Sequence, residues 1–261
     1  MSDFDKAIHV APDGSSEIVA GWDIGGNANG GYLLALIANH MRALSGRPDP
    51  ITVTGHYLSP GVAGPVQIDG EVIKSGKRFA TVTATMHRDG RPMLQALGTF
   101  GDVAFGSGSF EHVAAQPPDL PAIQECVRRS TDQGGTPVPM MEHLDVFIRP
   151  ADAGFITGTK SGVAEMAGWF AFPDGHVVDT LALLMVCDAL PPGVFNLDLP
   201  AAWVPTVEYT VHVRGVPAAG PLRCIFRSEA VSNGFLQEDG EVWDSAGQLV
   251  AMSRQLALMA R

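Results

Sequence analysis

The run 25–44, GGNANGGYLLALIANHMRAL, puts four glycines and two asparagines in its first seven residues, then turns apolar on nearly every side of a helical wheel. Between Asp23 and Arg42 there is no Asp, Glu, Lys or Arg. A helix apolar all round is buried, either in lipid or inside a protein. The apolar part, 32–44, falls short of the roughly 20 residues that a membrane span needs. The expectation is therefore a helix wrapped by sheet and no membrane span. The glycines ahead of it have two readings. They relieve crowding, or they bring backbone N–H groups close to a ligand at a helix N-terminus, where negative charge is favoured.

What flanks this helix predicts antiparallel strands. Residues 5–10 and 17–22 read as short strands around the Asp13-Gly14 turn, and Gly46 with Pro48 ends the helix. Strands follow at 51–58, 66–75, 78–87 and 92–100, separated by turn-forming Ser-Gly and Asp-Gly steps. Residues 101–140 are rich in glycine and proline, and read as a linker with a short helix at 122–129. The pattern then returns, with strands at 143–149, 155–160 and 164–172. A second apolar helix at 177–190 is stopped by Pro191-Pro192, and strands at 203–213, 222–230, 234–244 and 248–259 complete the chain.

The two halves share a register. Gly64-Pro65 matches Gly220-Pro221 at an offset of about 156, and at that offset Thr54 meets Thr210 and His56 meets His212. The expected architecture is α+β and duplicated, with two antiparallel sheets each wrapping a central helix. The units are 1–103 and 141–261, joined by a linker at 104–140.

The 261 residues allow a sizeable core, and a net charge of -11 argues against nucleic acid as a partner. A polyanionic ligand would need local cations, of which Lys77, Arg78, Arg88, Arg91 and Arg214 are visible. Cys126, Cys187 and Cys224 lack CxxC spacing and point to a reducing compartment. The segment MSDFDKAIHV has no secretory pattern, so the expected location is cytoplasmic. No GxSxG, HExxH, Walker or GxGxxG motif occurs, and the histidines lack metal spacing. Neither a metal nor a cofactor is expected.

The stretch IKSGKRFATVTATMHRDGRPMLQALGTF and the C-terminal EDGEVWDSAGQLVAMSRQLALMAR together resemble the two halves of double-hotdog acyl-CoA thioesterases of the thioesterase II type. The resemblance spans most of 17–101 and 164–261. It implies a double hotdog fold and hydrolysis of a fatty acyl-CoA by activated water, with a homodimer or higher homo-oligomer. The alternative is a hotdog protein that binds acyl groups or acyl-CoA without hydrolysing them.

Candidate site residues divide by their source. In 205–213, alternation puts Thr206, Glu208, Thr210 and His212 on one face and Val207, Tyr209, Val211 and Val213 on the other. That polar face is either solvated or functional. The resemblance implies a water-activating Asp on this strand, where this chain carries the longer Glu208. It places the water-orienting hydroxyl at Ser228, with Ser232 as rival, and the orienting amide at Gln255. A carboxylate can draw a proton from water while a hydroxyl and an amide fix its position. Backbone N–H groups around Gly25 and Gly26, or those of the second helix, would polarise the carbonyl. Asn27 and Asn29 either cap the helix or line the carbonyl site. Asp188, in an apolar run, is either a structural hydrogen-bonding group or an active-site acid. Lys77, Arg78 or Arg91 would meet the CoA phosphates on charge alone.

Overall fold

A computed structural model describes residues 1–261 apart from 107, 109, 133–135, 200–203 and 260–261. The start of the strand expected at 203 and the Gly134-Gly135 turn lie outside the described residues. The first half contains α1 (Asp3–Ala7), β1 (Ser15–Ile18), β2 (Asp23–Ile24), β3 (Asn27–Ala28), α2 (Gly30–Ser45), β4 (Asp49–Tyr57), β5 (Gly64–Ser75), β6 (Ala80–Arg88) and β7 (Arg91–Gly101). After it come β8 (Val127–Arg128), β9 (Asp145–Ile148), α3 (Gly154–Thr157), β10 (Glu165–Ala171), α4 (Ala182–Val186), β11 (Thr206–Val213), β12 (Leu222–Ser232), β13 (Phe235–Trp243) and β14 (Leu249–Leu258).

The glycine-led run forms α2, 16 residues long, and ten of its residues are buried. Asn29 caps its start, taking the Tyr32 N–H at 2.8 Å, and Gly46 closes it in the left-handed region at φ 62°. Leu34, Leu36 and Ile37 are fully buried against the sheet. Each such side chain contributes about 1.5–3 kcal/mol. Among the described residues no helix is long and apolar enough to cross a membrane.

The expectation of two sheets is corrected. Twelve strands form one sheet in the order β1-β5-β6-β7-β4-β11-β14-β13-β12-β10-β9-β8, and β2-β3 form a small separate ribbon. Outward from its centre, β4-β7-β6-β5 on one side is repeated by β11-β14-β13-β12 on the other. At the centre Thr54 of β4 lies opposite Thr210 of β11, 156 residues away, with their hydroxyls 2.8 Å apart. That separation equals the repeat offset in the sequence, so a local two-fold passes through this pair. The physical reason for a single sheet is edge pairing: β4 and β11 would otherwise each leave a row of unpaired N–H and C=O groups.

Other expectations are also corrected. The segment 5–10 is not a strand; α1 replaces it, with Ser2 and Asp5 in a reciprocal capping box. The segment 155–160 is helical at α3 rather than extended. The second apolar helix shortens from 177–190 to the five residues of α4, all buried. Asp179 and Thr180 explain the late start. Their side chains bond to the Ala182 amide at 2.7 Å and to Asp49 at 2.8 Å, and such bonds compete with helix. The expected helix at 122–129 is a single 3-10 turn, Ile123–Glu125, followed by β8. The segment read as linker thus donates a strand to the sheet edge.

Helices α2 and α4 pack at a side-chain-free position. A Cβ on Gly31 would sit 2.8 Å from Asp188 Cβ, 2.9 Å from the Leu184 carbonyl oxygen and 3.0 Å from Met185 Cα. Two of these three are backbone atoms of α4, which cannot swing aside. Gly31→Ala is therefore expected to destabilise the fold by about 1–3 kcal/mol, the usual range for overpacking. Urea denaturation measures this, and an unchanged midpoint would show that the two helices are not in this contact.

Candidate active site

A cavity of about 570 Å³ opens at the N-terminal end of α2. Polar groups on its wall include Asn29, Gly30, Tyr57, Asp188, Thr206 and Gln255, and the rest is largely apolar, with Leu33, Met140, Phe195 and Leu197 among its members. The first half of the chain supplies the helix end, and the second half supplies the carboxylate, the hydroxyl and the amide.

Asp188 lies just beyond α4 and points at the first turn of α2. Its Oδ2 accepts the Gly31 N–H at 2.8 Å and the Asn29 Nδ2–H at 2.9 Å. Asn29 Nδ2 also donates to the Asp188 backbone oxygen at 3.0 Å, while Asn29 Oδ1 is the cap of α2. Tyr57 fixes the same turn by donating its hydroxyl to the Gly30 oxygen at 2.7 Å. Burial pushes the Asp188 carboxyl up to about 6, and hydrogen bonds from Gly31, Asn29 and Gly30 act against that rise. The positive end of α2 favours the ionised form in the same way.

Thr206 and Gln255 stand together on the inner face of the sheet. Gln255 Nε2 donates to Thr206 Oγ1. A register shift between Thr206 and Glu208 makes this possible. Thr206 pairs with Ala257 and Tyr209 with Gln255, so one extra residue at 207 turns Thr206 inward. Strict alternation would have left Thr206 beside Glu208 on the outer face.

Glu208 is on that outer face. It lies opposite His56 of β4, accepts the Thr210 hydroxyl at 2.5 Å and does not border the cavity. Ser228 is also elsewhere. Its amide donates to the Ala164 oxygen at 2.9 Å and its hydroxyl reaches Glu238 Oε2 at 3.4 Å. Glu238 is buried, accepts the Gly193 N–H at 2.7 Å and has its carboxyl pushed up to about 7 by burial. Ser232 ends β12 at the exposed hairpin opposite Phe235.

Gly25 and Gly26 do not present their amides to the cavity. The Gly25 N–H donates to the Pro137 oxygen at 2.8 Å and the Gly26 N–H to Asp23 Oδ1 at 2.9 Å. Asn27 pairs with Ile24 in the small ribbon and borders the cavity. Lys77 and Arg78 flank a separate hollow with Arg47, just past the C-terminal end of α2. A 16-residue helix spans roughly 24 Å, so these cations are a helix length from Asp188. Arg91 opens β7 opposite Arg88 and is exposed. Among the described residues no group of three His, Cys, Asp or Glu side chains could hold a metal ion.

The geometry therefore joins Asp188 and Gln255, both legible as candidates, to Thr206, which the alternation concealed. A carboxylate pushed up to about 6, bordering the same mostly apolar cavity as a hydroxyl–amide pair, can hold a water molecule and take a proton from it.

Known proteins resemble this chain over most of its length. Residues 18–101 match the family model of the acyl-CoA thioesterase N-terminal domain, and residues 117–259 match that of the acyl-CoA thioesterase C-terminal domain. A solved structure from Thermobifida fusca, described provisionally as a thioesterase II, is 31% identical and has a TM-score of 0.88, covering 100% of this chain and 98% of that one. A protein from Alicyclobacillus acidocaldarius described as having the hot dog fold is 24% identical, with a TM-score of 0.87 over 100% of this chain and 99% of that one. A Mycobacterium tuberculosis protein described as uncharacterized is 27% identical over 258 residues, which is 91% of this chain and 88% of the relative. The fold is thus of the hotdog type, mostly antiparallel sheet with few helices.

The raised carboxyl gives a stability test. Between its ordinary value of 3.8 and about 6, Asp188 holds more proton in the folded state than in the unfolded one. Ionising it therefore costs stability as pH rises through that window, and the full cost is present above it. Asp188→Asn removes the titration. The stability of wild type relative to Asp188→Asn should fall from pH 4 to pH 6.5 in denaturant titrations, and parallel curves would contradict the raised value.

Proposed function

We propose that this chain, which belongs to the acyl-CoA thioesterase family, hydrolyses a fatty acyl-CoA to free acid and CoA with a water held by Asp188, Thr206 and Gln255. One observation carries the reading: a part-buried carboxylate, pushed up to about 6, shares a cavity with a hydrogen-bonded hydroxyl and amide. Asp188 takes a proton from the water as its oxygen attacks the thioester carbonyl carbon. The C–S bond breaks as the tetrahedral intermediate collapses, and the proton passes to the departing sulfur. Thr206 and Gln255 set where the water stands. The carbonyl oxygen lies toward the positive end of α2, where developing negative charge is favoured. The apolar wall from Val194, Phe195, Leu197 and Leu258 suits an acyl chain.

On this reading the chain is two hotdog units, 1–103 and 141–261. The intervening 104–140 supplies part of the cavity wall through Arg129, Val138 and Met140. A cytoplasmic setting fits three unpaired cysteines. A homodimer or higher homo-oligomer fits exposed Leu97, Met252 and Leu256 on the outer face of the sheet.

The rival is a protein that binds acyl-CoA without turning it over. The engagement of the Gly25 and Gly26 amides favours it, because donors expected for the carbonyl oxygen are spent elsewhere. Thiol release from a panel of acyl-CoAs separates the two. Asp188→Ala should lower kcat by about 10²–10⁴, the range for losing a positioned base. Glu208→Ala should stay within about threefold of wild type, since its carboxylate faces away from the cavity. The wild-type rate should rise with pH through about 6, as Asp188 ionises. A wild type that turns over no faster than Asp188→Ala at every chain length would establish the binding reading instead.

A further inference from the structure

Two cationic side chains border the cavity among the described residues, Arg129 and Lys160. They share one wall. The Arg129 guanidinium lies 5.5 Å above the Phe155 ring, and Phe155 packs on Phe195 with ring centroids 6.0 Å apart. Lys160 Nζ donates to the Leu197 backbone oxygen at 3.0 Å. Phe155, Phe195 and Leu197 border the same cavity, so two positive charges sit on a mainly apolar surface. Arg129 is only 9% exposed. Burial lowers its pKa, but a guanidinium stays protonated. Charges held against apolar walls act more strongly on a ligand than charges in water. A protein of net charge -11 has no general attraction for anions, so any anion that enters the cavity must be met locally.

We infer that Arg129 and Lys160 form an anion-receiving wall of the cavity, so that the thioester taken there carries an anionic group within their reach. The inference rests on the thioesterase reading and deepens it. Two parts of a thioester substrate have this chemistry: the phosphates of CoA, and the distal carboxylate of a dicarboxylic acyl group. The charges of Arg129 and Lys160 sit with Phe155 on the cavity wall, whereas Lys77 and Arg78, singled out by sequence for the phosphates, flank a different hollow.

Three substrates divide the cases: octanoyl-CoA, octanoyl-pantetheine, and suberyl-pantetheine with its terminal carboxylate. Wild type, Arg129→Gln and Lys160→Gln are assayed on each by thiol release. Lys160 is exposed, so its variant keeps the test open should the buried Arg129 variant misfold. The expected result is a loss of kcat/KM, carried in KM, at least tenfold larger for an anionic thioester than for octanoyl-pantetheine. A loss confined to octanoyl-CoA assigns the wall to CoA phosphates, and one confined to suberyl-pantetheine assigns it to the acyl carboxylate. Equal effects on all three substrates overturn the inference. A wild type that releases no thiol from any substrate refutes the thioesterase reading instead. Titration calorimetry with CoA and with suberate then decides the wall alone: binding at least tenfold tighter to wild type than to Lys160→Gln supports it, and equal binding rejects it.

Discussion

The carboxylate of Asp188 meets the first turn of α2, and the cavity at that helix end is built around this contact. A helix N-terminus leaves backbone N–H groups without partners. A buried carboxylate is costly without donors. Each resolves the other's deficit: Gly31 and Asn29 donate at 2.8 and 2.9 Å to one oxygen. Hydrogen-bond donors and a helix end counter the burial without adding a full positive charge. The carboxyl accordingly ionises near 6, where a lysine partner would have held it well below. The contact also demands a position without a side chain, and Gly31 supplies it.

Duplication provides the frame, and departure from symmetry provides the site. The pairing of β4 with β11 about Thr54 and Thr210 fuses the repeated units into one sheet. Their central helices are unequal. Helix α2 runs 16 residues and presents a glycine-led start, whereas α4 has five residues and ends just before Asp188. The shorter helix lets the chain turn at Asp188 into the Pro191-Pro192 wall of the cavity. Thr206 and Gln255 come from the same half as Asp188. The carboxylate that borders the cavity is Asp188 of the second half, set against the helix end of the first, and not Glu208.

That exchange of carboxylates shows where sequence reasoning reaches its end. Gln255 is the position where the resemblance places the orienting amide, and it does lie inward on β14 beside Thr206. Asp188 was noticed because a charge interrupts an apolar run, which requires a partner whatever its role. Glu208 stands where the resemblance puts an Asp, on a face assigned by alternation, and alternation fails at 206–208. One added residue moves Thr206 to the other face and leaves Glu208 outside. Bulges have no local sequence signal comparable to a turn glycine. Gly25 and Gly26 were expected to offer amides to a ligand. Their conformations are indeed left-handed, at φ 59° and 86°, but their hydrogens go to Pro137 and Asp23. Conformation followed from residue type; the partner did not. The segment 104–140 likewise read as a bare linker because its composition is that of a loop, yet it gives the sheet a strand and the cavity a cation.

The sequence by itself determined the buried helix, the alternating strands, the turns and the two-fold repetition of their order. Each of these follows from period and backbone preference within a few residues. Tertiary structure alone decided that the repeated units share one sheet, that Thr206 faces inward, and that Asp188 meets an amide 157 residues away. Those outcomes depend on which groups satisfy one another's hydrogen bonds across the folded chain. That choice is made by register and packing between distant segments, and no local pattern records it.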